Sequence, residues 1–214
     1  MLTIHAAALL LPGGGRAPVP DGAVAVRDTV IADFGPYGEL AAAHPAARVR
    51  RWPGVLSPGL LQRDAVRLLE ESYFPDPREA DTLGTAPLTG EALDALGPDG
   101  TWRAGSVRRG LHRMLRHGTT AVTAAPTAPP ALITAVRRSG LLVIGAPAPT
   151  GGEPGIDPLA GAASVADAMA APLAAGGRAD LAAFDVPDED ALLAAGAASC
   201  VATVAGGRLV YRGR

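Results

Sequence analysis

The 214-residue sequence contains no lysine and no asparagine. All 19 basic side chains are therefore arginines, which excludes Schiff-base chemistry by lysine and N-glycosylation. The single cysteine, Cys200, has no partner for an internal disulfide, so a reducing cytoplasm is the expected compartment. Aromatic residues make up only 4% of the chain, and the net charge of −2 gives no pull toward nucleic acid or an anionic membrane. Proline and glycine interrupt every apolar run that could become a membrane span. The apolar stretch from Met1 to Leu11 lacks the basic start and small-residue cleavage site of a secretion signal. No phosphate-cradling loop, dinucleotide fingerprint or zinc-knuckle spacing is present.

What remains is a globular composition. Hydrophobic residues form 48% of the chain, mostly Ala, Val and Leu, with a mean hydropathy of +0.21. This length accommodates one or two small domains with a sizeable core. It is shorter than the roughly 250 residues of a complete (β/α)₈ barrel. The all-arginine basic set, with the Ala, Gly and Pro load, is the composition expected from GC-rich bacterial coding.

Short strands dominate both ends. Leu2–Ala6, Ala23–Arg27, Val30–Phe34 and Arg48–Trp52 read as strands, with a tight hairpin turn at Arg27-Asp28-Thr29 and a short helix from Tyr37 to Ala43. Near the other end, Leu181–Phe184, Val201–Val204 and Arg208–Tyr211 read as strands, the last two joined through Gly206-Gly207. The middle alternates. Helices are expected over Ala65–Ser72, Ala104–Arg116 and Pro129–Ser139, and strands over Thr119–Thr123 and Leu141–Ile144, which suggests a parallel sheet. Phe74–Gly100 reads as loop with a short helix near Glu91–Leu96, and Ser164–Ala175 as an Ala-rich helix.

The chain is organised around Gly54-Val55-Leu56-Ser57-Pro58-Gly59-Leu60-Leu61-Gln62-Arg63-Asp64-Ala65-Val66. This stretch resembles the first barrel strand of metal-dependent amidohydrolases, the group containing imidazolonepropionase and aminodeoxyfutalosine deaminase. There the line reads Pro-Gly-Leu-Ile/Val-Asp-x-His-x-His, and the two histidines hold the metal. Pro58, Gly59, Leu60 and Leu61 match, Gln62 stands in place of the Asp, and Asp64 and Val66 stand in place of the histidines. Three further stretches resemble the same family: Ala23–Phe34, the helix, Gly118, Thr119, Thr120 and the following strand, and Gly177-Arg178-Ala179-Asp180-Leu181-Ala182-Ala183-Phe184-Asp185 with the closing hairpin. Leu141–Gly145 is similar either to the third barrel strand or to the last, and in the last case Ala146-Pro147 replaces the catalytic Thr-Asp.

The resemblance implies an α/β fold: a small β-sandwich built from both chain termini, residues 1–53 and 177–214, plus an incomplete (β/α) barrel remnant, residues 54–176. It implies a non-catalytic binding or regulatory subunit with no catalytic residue, no metal and no cofactor. The alternatives are a binder of nucleoside- or imidazolone-like small molecules, or a hydrolase of non-peptide C–N bonds completed by another chain. Candidate residues for a remnant pocket are Gln62, Arg63, Asp64 and Thr123. An incomplete barrel leaves open sheet edges, so a homodimer or a protein partner docking through the remnant is expected, without nucleic acid or membrane.

The plainer readings of individual residues point the same way. Asp64 is placed to cap the helix that follows it, and Arg63 either receives an anion at that helix start or is solvated. His112 and His117 are spaced by five, off a common helical face, and read as surface or helix-end residues, as does His44. Cys200 reads as a small buried apolar residue. The arginines at 48, 50 and 51 and at 103, 108, 109, 113 and 116 read as solvated surface.

Overall fold

The computed structural model describes residues 1–97, 100–146 and 154–213. The first half of the chain gives β1 (Leu2–Ala6), β2 (Leu9–Leu10), β3 (Val19–Pro20), β4 (Gly22–Arg27), β5 (Val30–Pro36), α1 (Tyr37–Ala43), β6 (Arg48–Arg51), β7 (Val55–Pro58), β8 (Leu60–Gln62), α2 (Ala65–Glu71), β9 (Ser72–Tyr73), α3 (Ala80–Leu83), β10 (Leu88–Thr89) and α4 (Gly90–Leu96). The second half gives α5 (Gly100–Leu115), β11 (Thr119–Ala124), α6 (Pro130–Arg138), β12 (Leu142–Gly145), α7 (Val165–Ala168), β13 (Leu181–Phe184), α8 (Glu189–Ala195), β14 (Cys200–Ala205) and β15 (Arg208–Arg212).

The chain divides into two compact units. One contains Met1–Leu61, Leu115–Ala121 and Asp157–Arg214; the other contains Gln62–Met114 and Val122–Ile156. The first unit holds a four-stranded sheet, β5-β4-β1-β6, and a six-stranded sheet, β15-β14-β13-β7-β2-β3. Only the β1–β6 and β2–β7 pairs are parallel within these two sheets. A third sheet has the order β12-β11-β8. Among the described residues no barrel closes.

The strand β4 explains how the four-stranded sheet is buried on both faces. Its sequence alternates small and larger apolar residues, and alternate side chains point to opposite faces. Ala23 and Ala25 lie in a cluster with Ile4, Ala6 and Leu40 of α1. The small side chains let the helix approach closely. Val24 and Val26 point the other way, into a cluster with Leu10, Leu56, Leu181 and Val204 of the six-stranded sheet. Residues from both ends of the chain thus share one core.

Two hairpin tips meet in this unit. Asp28, at φ 55, and Thr29 form the two-residue turn between β4 and β5. Gly206 and Gly207, at φ 54 and 75, form the turn between β14 and β15, where positive φ at both positions matches the twist of the strands. A Cβ on Gly207 would lie 1.8 Å from the carbonyl oxygen of Asp28, so only glycine permits this approach.

In the second unit, α5 presents a buried face to its neighbours. Leu111 and Met114 are buried. Gly110 sits where a Cβ would strike Leu69 of α2 at 2.5 Å and the ring of Phe74 at 2.7 Å. The Ser106 hydroxyl accepts the Phe74 N–H at 2.9 Å, and the Arg109 guanidinium donates to the Phe74 carbonyl at 2.7 Å. These bonds hold the turn after β9 against the helix.

The stretch from Gly54 to Leu61 forms two strands, because Pro58 has no N–H to continue the ladder and the pairing partners switch at Gly59. Val55–Pro58 pairs with β13, whereas Leu60 donates its N–H to Gly118. The expected helix over Ser164–Ala175 lasts only from Val165 to Ala168. Beyond it, Met169 bridges Leu60 and Ala170 donates to the Gly59 carbonyl, so pairing with the strand overrides the helical preference of alanine. The apolar strand β12 is not fully buried as its composition suggests: Leu142 is 44% exposed.

Candidate functional site

The candidate residues all follow the break at Gly59. The break is enforced from two sides. A Cβ on Gly59 would fall 2.0 Å from the Thr120 hydroxyl, and the Gly59 N–H donates to the Asp180 carbonyl at 2.9 Å. Leu60 and Leu61 are then buried, and the chain delivers Gln62 to the end of β8 and Arg63 and Asp64 to the turn before α2.

Gln62 is 3% exposed, and its amide is fully engaged. The Nε2 group donates to the carbonyls of Gly155 and Ile156 at 2.9 and 3.2 Å, while Oε1 accepts the Asp64 N–H at 2.9 Å. Its side chain therefore ties the 155–156 segment to the start of α2. Asp64 occupies the N-cap position but makes no side-chain cap. With φ −92 and ψ 11 its backbone departs from the extended conformation of a capping residue, and its carboxylate instead faces Arg67 Nη1 at 3.5 Å. Arg67 also reaches Glu71 at 3.4 Å, one turn further on. The expected Asp64 cap is thus replaced by an i,i+3 ion pair.

Thr123, at the end of β11, donates its hydroxyl to the Arg63 carbonyl at 2.7 Å. That bond joins the two strand ends. Beside it is a hollow of about 250 Å³, lined by Arg63, Val66, Arg67, Thr123, Thr127 and Pro129 among others. The structure thus brings Arg63 and Thr123 to one hollow, whereas Gln62 and Asp64 point into the supporting network. Val66 and Arg67, which the sequence reading did not name as pocket residues, line it. Their signal was available: they lie three and four residues after Arg63, on the same helical face.

A hydrolytic metal ion in this fold would need three or more ligands converging on one point. Among the described residues no group of three or more His, Cys, Asp or Glu side chains does so. Val66 has no donor atom, Gln62 is committed to backbone groups, and Asp64 faces an arginine. The described residues at these positions do not fit such an ion.

The remaining reactive side chains are not among those that line the hollow. His5 is 2% exposed, and its Nδ1 accepts the Trp52 indole N–H at 3.1 Å. Burial, aided by the charge of Arg50, holds its pKa down to about 4. His112 is exposed, and His44 and His117 are half-buried. Burial pushes the Cys200 thiol up to about 11, despite sulfur contacts to Thr203 Oγ1 and the Ala202 carbonyl. A thiol held protonated is no nucleophile, and Cys200 behaves as the small buried residue the sequence suggested. Pro147, the second residue of the stretch compared with the Thr-Asp of the last barrel strand, lies outside the described residues. No helix among the described residues is long and apolar enough to cross a membrane.

Residues 22–47, comprising β4, β5, α1 and the turn after it, match the family described as imidazolonepropionase-like composite domain, bacteria. The match bears out the family resemblance for this segment of the four-stranded sheet. Solved structures similar to the chain include ochratoxinase from A. niger, at 20% identity and a TM-score of 0.45, covering 67% of this chain and 31% of that one. Another is the aminofutalosine deaminase of Helicobacter pylori, at 16% identity and a TM-score of 0.43, covering 68% and 33%. A third is the guanine deaminase of Bradyrhizobium japonicum, at 21% identity and a TM-score of 0.43, covering 68% and 34%. The chain spans about a third of the length of each. None of the curated proteins matches it.

Proposed function

We propose that this chain is a shortened, non-catalytic relative of the metal-dependent amidohydrolases, working in the cytoplasm as a binding or regulatory subunit. In this reading the four-stranded sheet and the strands of the six-stranded sheet other than β7 are the composite β-sandwich of residues 1–53 and 177–214. The strands and helices of residues 54–176 are what remains of the barrel. The observation that carries the reading is the fate of the motif after Leu61. Asp64 and Val66 stand at the two histidine positions of the family line and Gln62 at its aspartate; the Gln62 side chain serves backbone groups, Asp64 faces an arginine, and Val66 has no donor atom. A scaffold kept with its ligand positions converted to structural use is the expected form of a pseudoenzyme. Elemental analysis tests it: the purified protein should carry well under one zinc or iron per chain, and a stoichiometric, tightly held ion would refute the reading.

The hollow beside Arg63 and Thr123 supports a second reading, in which the remnant binds a small molecule of nucleoside or imidazolone type. Its volume of about 250 Å³ lies just below the range usual for ligand pockets. Such compounds would then raise the melting temperature, and Thr123→Val would weaken the effect. Were catalysis completed by another chain, hydrolysis of a non-peptide C–N bond would be the reaction to assay.

Assembly belongs to the same proposal. The strand β12 ends its sheet and presents Leu142 at 44% exposure, and an uncovered edge with no charged side chain favours association. A homodimer, or a protein partner, docking through the remnant would cover it. Light scattering at micromolar concentration should report a species larger than one chain, reduced to a monomer by Leu142→Asp.

A further inference from the structure

Three helices of the second unit leave a groove of about 590 Å³ between them. Leu69 of α2, Ala104 and Val107 of α5, and Leu132 and Ala135 of α6 line it. Residues 104, 107, 108 and 111 follow the spacing of one helix face. That face is covered only at its far end: Leu111 is buried, whereas Ala104 is exposed and Val107 half-buried. The alanine side chains at 104, 131 and 135, which all line the groove, end at Cβ. The chain therefore does not fill the space between these helices with its own side chains.

Charge on the border of the groove favours one sign of ligand. Two arginines, Arg103 and Arg108, stand there against one glutamate, Glu70. Glu70 also borders the hollow beside Arg63, and Arg103 donates to the Glu70 carbonyl at 3.4 Å. Arg108 borders this groove and not that hollow, and it forms no ion pair among the described residues. Its guanidinium is free to donate to a carboxylate. The volume lies within the range usual for ligand pockets, and apolar walls with a few polar groups are their usual lining. A helix from a second copy suits the groove less well, because such docking uses apolar anchors three or four residues apart. The large apolar side chains exposed among the described residues are Met1, Val30, Val49, Trp102 and Leu142, and no two of them have that spacing.

We propose that the groove between α2, α5 and α6 binds a medium-chain alkyl carboxylate. The chain lies along Leu69, Val107 and Leu132, and the carboxylate meets the Arg108 guanidinium. The site does not use Thr123 and does not depend on the pseudoenzyme reading.

The test is isothermal titration of the intact chain with decanoate, below its micellar concentration and at fixed ionic strength. One saturable site per chain is expected. Decyltrimethylammonium, an equally long chain of opposite charge, should bind at least about fivefold more weakly. Arg108→Gln should weaken decanoate by about fivefold and leave decanol, the uncharged analogue, unchanged. Ala104→Phe, at an exposed helix position, should block both decanoate and decanol by filling the groove. Ala135→Phe repeats the test from α6 where the first variant folds poorly. Thr123→Val should leave decanoate binding intact, which separates this groove from the hollow beside Arg63. The proposal is overturned by no saturable uptake, by uptake that survives both phenylalanine variants, or by equal affinity for decanoate and decyltrimethylammonium. A dimer that takes up no decanoate and that Ala104→Phe splits would also overturn it, because a second copy would then be the occupant.

Discussion

Protonating His5 should be the step by which mild acid loosens the first unit. The ring lies on β1, buried among apolar neighbours, and Nδ1 accepts the Trp52 indole proton. The neutral ring must therefore carry its own proton on Nε2. A second proton, on Nδ1, would set donor against donor and place a charge where water does not reach. Burial first, and Arg50 second, hold the folded-state pKa at about 4 against the ordinary 6.5. The unfolded chain takes up the proton first as pH falls, so the stabilising contribution is complete above pH 6.5 and is lost as pH drops toward the folded value. The difference corresponds to about 3 kcal/mol, of which about 2 kcal/mol disappears between pH 7 and pH 5. Trp52 and Trp102 are the only tryptophans, so a Trp102→Phe background leaves Trp52 as sole fluorescent reporter. In that background His5→Gln retains an acceptor but cannot titrate. Urea unfolding should show the parent losing about 2 kcal/mol more than the variant on going from pH 7 to pH 5. Parallel losses in the two proteins would refute the reasoning, because the burial of His5 would then have no energetic consequence.

Three further substitutions probe the contacts that hold each unit. Gly207→Ala should destabilise by more than about 2 kcal/mol, because a left-handed non-glycine residue costs about 1–2 kcal/mol and the added Cβ meets a carbonyl that cannot turn aside. Gly206→Ala should cost only the conformational part, since its Cβ faces the flexible end of Arg178 at 3.2 Å; equal losses in urea midpoint for the pair would contradict the close approach of the two turns. Gln62→Leu should cost about 1–3 kcal/mol by stranding two carbonyls and the Asp64 amide, and should speed hydrogen exchange at that amide. An unchanged exchange rate would mean the glutamine does not tie the segment down.

The sequence exposed the strands better than their partners. Alternation over Leu2–Ala6 and Ala23–Arg27, and the Gly206-Gly207 turn, carry their meaning locally, and these elements form where expected. The helix α1 also spans the expected Tyr37–Ala43. What the chain could not disclose locally was exchange of pairing. Leu9–Leu10 is a two-residue strand recognisable only by its neighbours β7 and β3, and Gly59 gives no hint that the ladder changes partner there. The helix α8 went unread although its ends are marked, by Asp188 accepting the Ala191 N–H and by Gly196 at φ 72. A short Ala-rich segment between two apolar strands offered too weak a period to separate helix from loop.

The site divides along a similar line. A motif reports which side chains are present, and so the substitutions at Asp64 and Val66 were legible at once. It does not report where a side chain is used. Gln62 and Asp64 looked like pocket residues because the family line places an aspartate and a metal ligand there, yet each turns to the local backbone or helix. Arg63 and Thr123, from strands far apart in sequence, lie at the hollow because the Thr123 hydroxyl fastens one strand end to the other. The same logic applies to His5 and Arg50. Nothing in the sequence joins residue 5 to residue 50, but parallel pairing of β1 and β6 makes them register partners. A buried imidazole that must stay neutral then sits next to arginines that have no carboxylate partner among the described residues.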